Sequence, residues 1–540
     1  MKQLSSVGAK GTMLTVGVVC AILVLYTQIR SGCFFSDFGD DESSHYVSGL
    51  MIRDYIFSGF SVGPIKYLAW YHSHYPIIGI GHWGPAFYFV EALWMVIFSP
   101  SRISVLLLSA VVTVAISVLI YYYGVTRLSL SKLASFFAAA AFSICPITQE
   151  GSSEVMLDLP IALCVFLALL AYVRYFETER WIYSILFGGV AAVAMLIKGN
   201  GALLALLPPF AILFSRKWYL LRRPSFWVSV PIVGLIVGPW YLFTYGQVSA
   251  GFRYTWGLNY TQTALVENSG LLFWAVGPVV AALAVLGLVS GARSTAKDSR
   301  TGFACATALL AAVWMFQVSV PAAIQDRYLA SLLPPTFLLA AIGGQALAEA
   351  MRRRVSYGIA GPLVFSVAAL SMLPAAFAVD AKPELGFRDA AKLVWMNRSE
   401  TNPVVLIATR EPGEAAALAE LAMADPARPS LFAVRGSRLL GGGGYNRQDY
   451  LPRFTDTNQV AAELDSFHVP LVIFQPDPGG WEHVAQIETL RLHAEDPWQV
   501  LGTSVGPGQA PITLYKLPRS NGEVADINRW MALTGPRALK

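Results

Sequence analysis

Runs of apolar residues long enough to cross a bilayer recur along this chain, and no other feature limits its fold as strongly. They fall at about 12–30, 102–123, 133–149, 159–176, 183–199, 202–215, 226–245, 271–291, 302–320, 328–349 and 356–379. A transmembrane helix needs roughly 20 apolar residues, and in lipid only helices and closed barrels satisfy their own backbone groups. Of 540 residues, 55% are hydrophobic and 14% charged, with a mean hydropathy of +0.52. No soluble domain of this size has that balance, so the sequence predicts a polytopic α-helical membrane protein of about eleven spans. Lys2 and Lys10 precede the first run as in a signal peptide, but no small-residue cleavage site follows it, so it reads as a retained span.

One further run, 85–98, decides the topology. It carries Glu91 in its middle and, at 1.5 Å per residue, reaches only about 21 Å. If it lies along the surface, Lys2, Lys10, Arg127, Lys132, Arg174, Arg180, Arg216, Lys217, Arg222, Arg223, Arg293, Lys297, Arg300 and Arg352 to Arg354 share the inner side. The short outer hairpins then hold only Lys198, Arg253 and Arg327. The positive-inside rule prefers that arrangement. A first outer loop, 31–101, follows from it, and the chain beyond the last span lies outside.

Past about residue 380 the pattern changes. Val404–Ala408, 431–434, Leu471–Phe474 and 512–515 read as short strands, with helices expected at 414–424, 459–467 and 481–493. The sequence therefore divides into a transmembrane catalytic domain, 1–380, and a small α/β domain, 381–540. The four glycines at 441–444 lack the strand-to-helix setting of a phosphate-binding loop. Four of the five cysteines lie in apolar runs and only Cys33 in a polar stretch, so redox chemistry is not expected.

Chemistry-bearing residues gather on the expected outer side. Directly after the first span stand Asp37, Asp40, Asp41 and Glu42, followed by His45 and Tyr46. Carboxylates at the mouth of a span are expensive near lipid unless they are used. Other outer segments contribute His72, His74 and His82, then Glu150, Glu154 and Asp158, then Lys198, Arg253 and the run Gln325-Asp326-Arg327-Tyr328. Carboxylates can act as general bases toward a hydroxyl, and isolated cations can hold a leaving phosphate. At a lipid boundary that pairing fits transfer of a group from a lipid-linked phosphate. The histidine spacing matches no standard metal site. A lipid-linked glycan transporter or flippase would place polar residues inside the spans or show an internal repeat, and the sequence has neither. A non-catalytic membrane scaffold would leave the acidic stretch unexplained.

Five segments occur in a telling order: Asp41-Glu42-Ser43-Ser44-His45-Tyr46; His82-Trp83-Gly84-Pro85; Asp158 opening an apolar helix; Lys198-Gly199; and Arg327-Tyr328 running to Pro334-Pro335. In these the chain resembles the GT-C class of glycosyltransferases, in particular the protein O-mannosyltransferase and lipid A aminoarabinose transferase branch, over roughly 12–380. The resemblance implies a glycosyltransferase of the bacterial inner membrane with its active site and C-terminal domain on the periplasmic face. It would move a sugar, with inversion, from a polyprenyl-phosphate-linked donor to a hydroxyl of a glycan, lipid A or its core, or protein. Membrane lipids are its other partners, with no nucleic acid, no cofactor and no supported metal. By the same resemblance Asp41 is the base, with Asp40 as alternative because the spacing to Tyr46 is one residue longer than in the aminoarabinose branch. Asp158 joins the catalytic set; Lys198, Arg327, Arg253 and His82 hold the donor phosphate; Glu42, Tyr46, Glu154 and Tyr328 line the substrate pocket. Gly84 departs from the family pattern, which has proline there.

Overall fold

The computed structural model describes residues 6–251, 254–293, 297–352, 354–399, 404–426, 428–442, 450–477 and 479–518. The helices of the first half are α1 (Ser6–Ser31), α2 (Asp40–Phe57), α3 (Pro64–His74), α4 (Ala86–Ile97), α5 (Arg102–Arg127), α6 (Lys132–Ile144), α7 (Pro146–Ser152), α8 (Asp158–Thr178) and α9 (Trp181–Ile197). Then come α10 (Leu207–Ser215), α11 (Pro224–Trp227), α12 (Ser229–Gly251), α13 (Leu258–Val276), α14 (Pro278–Arg293), α15 (Lys297–Ser319), α16 (Leu333–Met351) and α17 (Tyr357–Phe377). Among the described residues seven helices are long and apolar enough to cross a membrane, or nine if each of two bent pairs is one span. The chain is a multi-pass membrane protein.

Two expected spans are not straight. The run at 133–149 bends by 59° between α6 and α7, where Pro146 opens the new helix, and the run at 271–291 breaks at Gly277, with 106° between α13 and α14. Gly277 sits at φ +76° and Pro278 follows it, so neither residue can continue the helix before it. The expected spans at 183–199 and 202–215 fall on shorter apolar helices, Trp181–Ile197 and Gly199–Ser215. The expected surface run is α4, whose 12 residues rise only about 18 Å.

The chain folds into two compact units, each discontinuous in sequence. The first comprises Met1–Ser31, Gly81–Phe87 and Leu106–Ala381; the second comprises Gly32–Ile80, Tyr88–Val105 and Lys382–Lys540. The first-loop residues thus fold with the C-terminal residues, and the change of unit at Ala381 falls where the composition changes.

The first unit is a helical bundle packed through small residues. Added Cβ atoms on Gly287 of α14 and Gly343 of α16 would collide with the backbone carbonyls of Leu339 and Leu283, the close approach by which small residues bring membrane helices together.

In the second unit the C-terminal elements are α18 (Phe387–Asn397), β1 (Val404–Ala408), α19 (Glu411–Ala424), β2 (Phe432–Arg435), α20 (Gly436–Leu439), the two-residue pair β3 (Gly441–Gly442) and β4 (Leu451–Pro452), α21 (Thr457–Ser466), β5 (Leu471–Phe474), α22 (Glu482–Leu492), β6 (Gln499–Ser504) and β7 (Ile512–Lys516). The sheet runs β2-β1-β5-β7-β6, parallel across β2, β1 and β5 and antiparallel from β5 onward. All five residues of β1 are buried, as expected for a central parallel strand covered on both faces. Their neighbours in the core include Val434, Leu464, Val472 and Ile487.

Candidate active site

The acidic stretch is not a loop. Asp40, Asp41 and Glu42 form the first turn of α2, where negative charge offsets the positive end of the helix dipole. Folding gives the four carboxylates different tasks. Asp37 is buried and accepts from the backbone N–H groups of Leu385 (2.6 Å), Gly386 (3.0 Å) and Arg388 (3.2 Å), at the start of α18. Glu42, also buried, turns back to accept from the Gly39 N–H at 3.0 Å and lies 4.0 Å from the Lys382 ammonium. Asp40 and Asp41 are the two that stay partly exposed.

Those two face different neighbours. Burial would lower the pKa of Arg435, but Glu414, Glu411 and, further off, Asp40 raise it, so Asp40 lies in the field of a permanently charged guanidinium. Asp41 acts instead on Tyr88, whose pKa burial, Glu91 and Asp41 all push up. One turn after Asp41 stands His45, whose Nδ1 shares a 2.7 Å hydrogen bond with the Tyr88 hydroxyl. Asp41, His45 and Tyr88 thus make up a polar corner of the second unit.

Tyr46, expected in the substrate pocket, is fully buried, packs 5.0 Å from Phe38 and donates to the Pro100 carbonyl at 2.8 Å. It is part of the second unit's interior. His74 is likewise structural, stacked on Phe432 at 4.0 Å, with burial lowering its pKa. Among the described residues no three His, Cys, Asp or Glu side chains are grouped to hold a metal ion.

The first unit brings together most of the expected cations and their partners. Lys198 ends α9 in extended conformation and a 3₁₀ turn follows at once. That turn is tight, because a Cβ on Gly201 would run into the Ala194–Met195 backbone. The Lys198 ammonium lies 2.6 Å from Asp158 Oδ1 and 4.3 Å from the centre of the Tyr328 ring. Asp158 opens α8 and is buried, with its second oxygen, Oδ2, unpaired. Arg327 lies near the same ring, 5.4 Å from its centre, and donates from Nε to Gln325 at 2.7 Å. Its Nη1 is 3.7 Å from the Met156 sulfur. Ring, carboxylate and short turns therefore hold two cations in a fixed arrangement.

His82 is exposed and meets the Trp83 ring edge-on at 4.7 Å. The departure at Gly84 has a steric cause. A Cβ there would collide with the Leu196 carbonyl, so neither proline nor alanine fits where this segment crosses the end of α9, two residues before Lys198. Glu154 is half-buried, and its backbone carbonyl accepts from Ser109 at 2.9 Å. Arg253 lies outside the described residues. Sequence reasoning missed the carboxyl group of Glu91 as part of the second unit's interior. It is buried with neither oxygen hydrogen-bonded, and only Gly49 leaves room for it. Burial raises its pKa well above the usual carboxylate range, so it is a neutral acid near Tyr88.

Comparison with known proteins bears on both units. Residues 82–243, which contain His82, Glu154, Asp158 and Lys198, match the family of dolichyl-phosphate-mannose-protein mannosyltransferases. No curated protein matches the chain significantly. Among solved structures, apo ArnT from Cupriavidus metallidurans superposes with a TM-score of 0.60 at 14% identity, covering 92% of this chain and 97% of that one. The same protein bound to undecaprenyl phosphate gives 0.55 at 15%, covering 94% and 98%. The Archaeoglobus fulgidus oligosaccharyltransferase gives 0.53 at 15%, covering 86% and 69%. The resemblance read from the sequence thus extends to the whole architecture, and the fold is the one these membrane glycosyltransferases share.

Proposed function

We propose that the protein is an integral membrane glycosyltransferase of the bacterial inner membrane, working at the periplasmic face. It transfers a sugar from a polyprenyl-phosphate-linked donor to an acceptor hydroxyl. The observation that carries this reading is the pair Lys198 and Arg327 about the Tyr328 ring, with Lys198 held by Asp158. Lys198 and Asp158 lie in the segment that matches a family acting with dolichyl-phosphate-mannose. The undecaprenyl phosphate bound to the Cupriavidus ArnT supports a lipid phosphate as the leaving group.

In this reading Asp41 takes the proton of the acceptor hydroxyl, and the oxygen attacks the anomeric carbon. The bond from that carbon to the phosphate oxygen breaks with inversion, and the lipid phosphate leaves with its charge held by Lys198 and Arg327. Asp158 holds Lys198, and no cofactor takes part. Asp41 is preferred over Asp40 because it is the member of the Asp-Glu pair that opens the family-like segment 41–46. The acceptor is a hydroxyl of a glycan, of lipid A or its core, or of a protein.

Membranes carrying wild type or variants, given radiolabelled polyprenyl-phosphate sugars, test this. Asp41→Asn should lower transfer by about 10²–10⁴-fold, the usual contribution of a general base, while Asp40→Asn keeps most of it. Wild-type transfer in both variants and in their double variant would remove the first turn of α2 from the reaction.

A further inference from the structure

We propose that a cavity at the far end of α2 binds an anionic saccharide, a part of the acceptor glycan that carries a phosphate or a carboxylate. The link to the acceptor rests on the glycosyltransferase reading; the binding chemistry does not. The cavity measures about 700 Å³ and lies wholly within the second unit. Its walls carry three cations, Arg53, Lys66 and Arg428, against one carboxylate, Asp54, and they include the aromatic rings of Tyr67 and Trp70.

The walls are preformed. Arg53 Nη1 donates to Asp54 Oδ1 at 2.7 Å, and the Arg53 guanidinium lies 4.6 Å from the Phe57 ring centre. Asp54 Oδ2 accepts from the Tyr71 hydroxyl at 3.1 Å. Arg428 donates to the carbonyls of Ala422 (3.1 Å) and Met423 (3.0 Å) at the end of α19, which fixes its guanidinium. The rim turn after α2 is closed by Tyr55 donating to the Val62 carbonyl at 2.8 Å, and by Gly59 and Phe60 at positive φ. Tyr67 packs at tilted angles between Tyr55 at 4.8 Å and Trp70 at 5.4 Å.

Each part of a charged sugar finds a partner here. The excess of cations selects an anion, and guanidinium groups match the planar oxygens of phosphate and carboxylate. Asp54 takes one of the five donors of Arg53, and the Nε of that residue is buried with no partner. A carboxylate oxygen with one bond keeps a lone pair for a sugar hydroxyl. Trp70 is 42% exposed, a flat apolar face for the C–H side of a sugar ring. Twelve residues of α2 separate Arg53 from Asp41, about 18 Å. That spacing suits a remote subsite whose binding energy serves the distant reaction.

The test uses the full chain in neutral detergent and three probes: a hexosamine disaccharide monophosphate, the same disaccharide without phosphate, and a disaccharide ending in a uronic acid. Titration calorimetry should show at least one acidic disaccharide binding tenfold or more tighter than the neutral one. Lys66→Gln and Trp70→Ala, both at exposed positions, should each weaken it by about tenfold, and Arg53→Gln by more. Retained binding in the three variants, or equal binding of neutral and acidic sugars, overturns the proposal. So does retention of phosphatidylglycerol, lost in the variants, with no binding of sugar. Acidic-sugar binding that the variants lose, without any transfer by wild type, upholds the cavity and sinks the glycosyltransferase reading. Transfer with an unchanged acceptor KM in all three variants leaves that reading standing and removes the cavity.

Discussion

Breaking the pair of Lys198 and Asp158 one side at a time separates a lysine that is held from a carboxylate that reacts. The two side chains are 12% and 5% exposed and meet at 2.6 Å. Removing one member of so buried a pair leaves an uncompensated charge, at a cost of about 3–5 kcal/mol. Lys198→Gln strands the Asp158 carboxylate and also removes a cation over Tyr328 worth about 0.5–2 kcal/mol. Asp158→Asn keeps the ammonium but loses the bond that aims it. The double variant strands neither, so it should be less damaged than the sum of the single variants, with a coupling of about 2–3 kcal/mol. Urea titrations in mixed micelles measure that coupling. Donor use should follow the lysine: about 10–100-fold lost in Lys198→Gln and in the double variant, the worth of one charge-assisted bond to phosphate. Asp158→Asn should lie between them and wild type, in donor KM more than in kcat. Additive stability effects would show that the two do not act as a pair. A collapse of kcat at normal donor KM in Asp158→Asn would show that this carboxylate reacts and does not merely hold Lys198.

Two other substitutions probe the second unit. Asp37→Ala strands three backbone N–H groups at the start of α18 and should destabilise by about 3–5 kcal/mol, read as a fall in the unfolding midpoint; an unchanged midpoint refutes the tether. Glu91→Gln removes a carboxyl that stays protonated in the fold but ionises above about pH 4.3 when unfolded. Wild type therefore loses stability as pH rises above that value, by about 1.4 kcal/mol per unit up to the raised pKa. The variant should be the more stable at pH 7 and match wild type near pH 4, and parallel midpoint-against-pH curves would refute a neutral Glu91.

The elements legible in the sequence were those with a one-sided or uniform pattern. The apolar helices gave themselves away by length, and β1 and β5 matched the expected Val404–Ala408 and Leu471–Phe474 because central parallel strands are apolar throughout. Edge strand β6 carries no such signal because half of its residues are exposed and its composition is ordinary. Helix α2 was hidden for the opposite reason. Buried residues run almost continuously from Glu42 to Ile52 and include Ser43, Ser44 and Ser48, so no amphipathic stripe marks it. Of the site, Asp158, Lys198, Arg327 and Tyr328 were found as separate motifs and proved to be neighbours. The burial of Tyr46 is not legible at all, because a motif position carries no information on burial. The distant partners of Asp37, Glu42 and Asp40, all beyond residue 381, are contained in no local pattern.

Those distant partners account for the C-terminal residues. Arg102 is buried and pairs with Glu420 while its guanidinium lies 4.5 Å from the centre of the Phe38 ring. Tyr75 donates to Asp425 at 2.6 Å, and Asp37 caps the start of α18. Each of these groups is polar and buried, and each has a partner beyond residue 381. A buried polar group left without its partner costs about 1–3 kcal/mol, and more when charged. The first-loop helices could not keep these side chains buried if the α/β elements were absent. Asp37, three residues before α2, tethers the entry of that helix to the start of α18. The α/β elements thus do more than fill the second unit. They place Asp40 in the field of Arg435, while Asp41 acts on Tyr88 and helps keep its hydroxyl protonated.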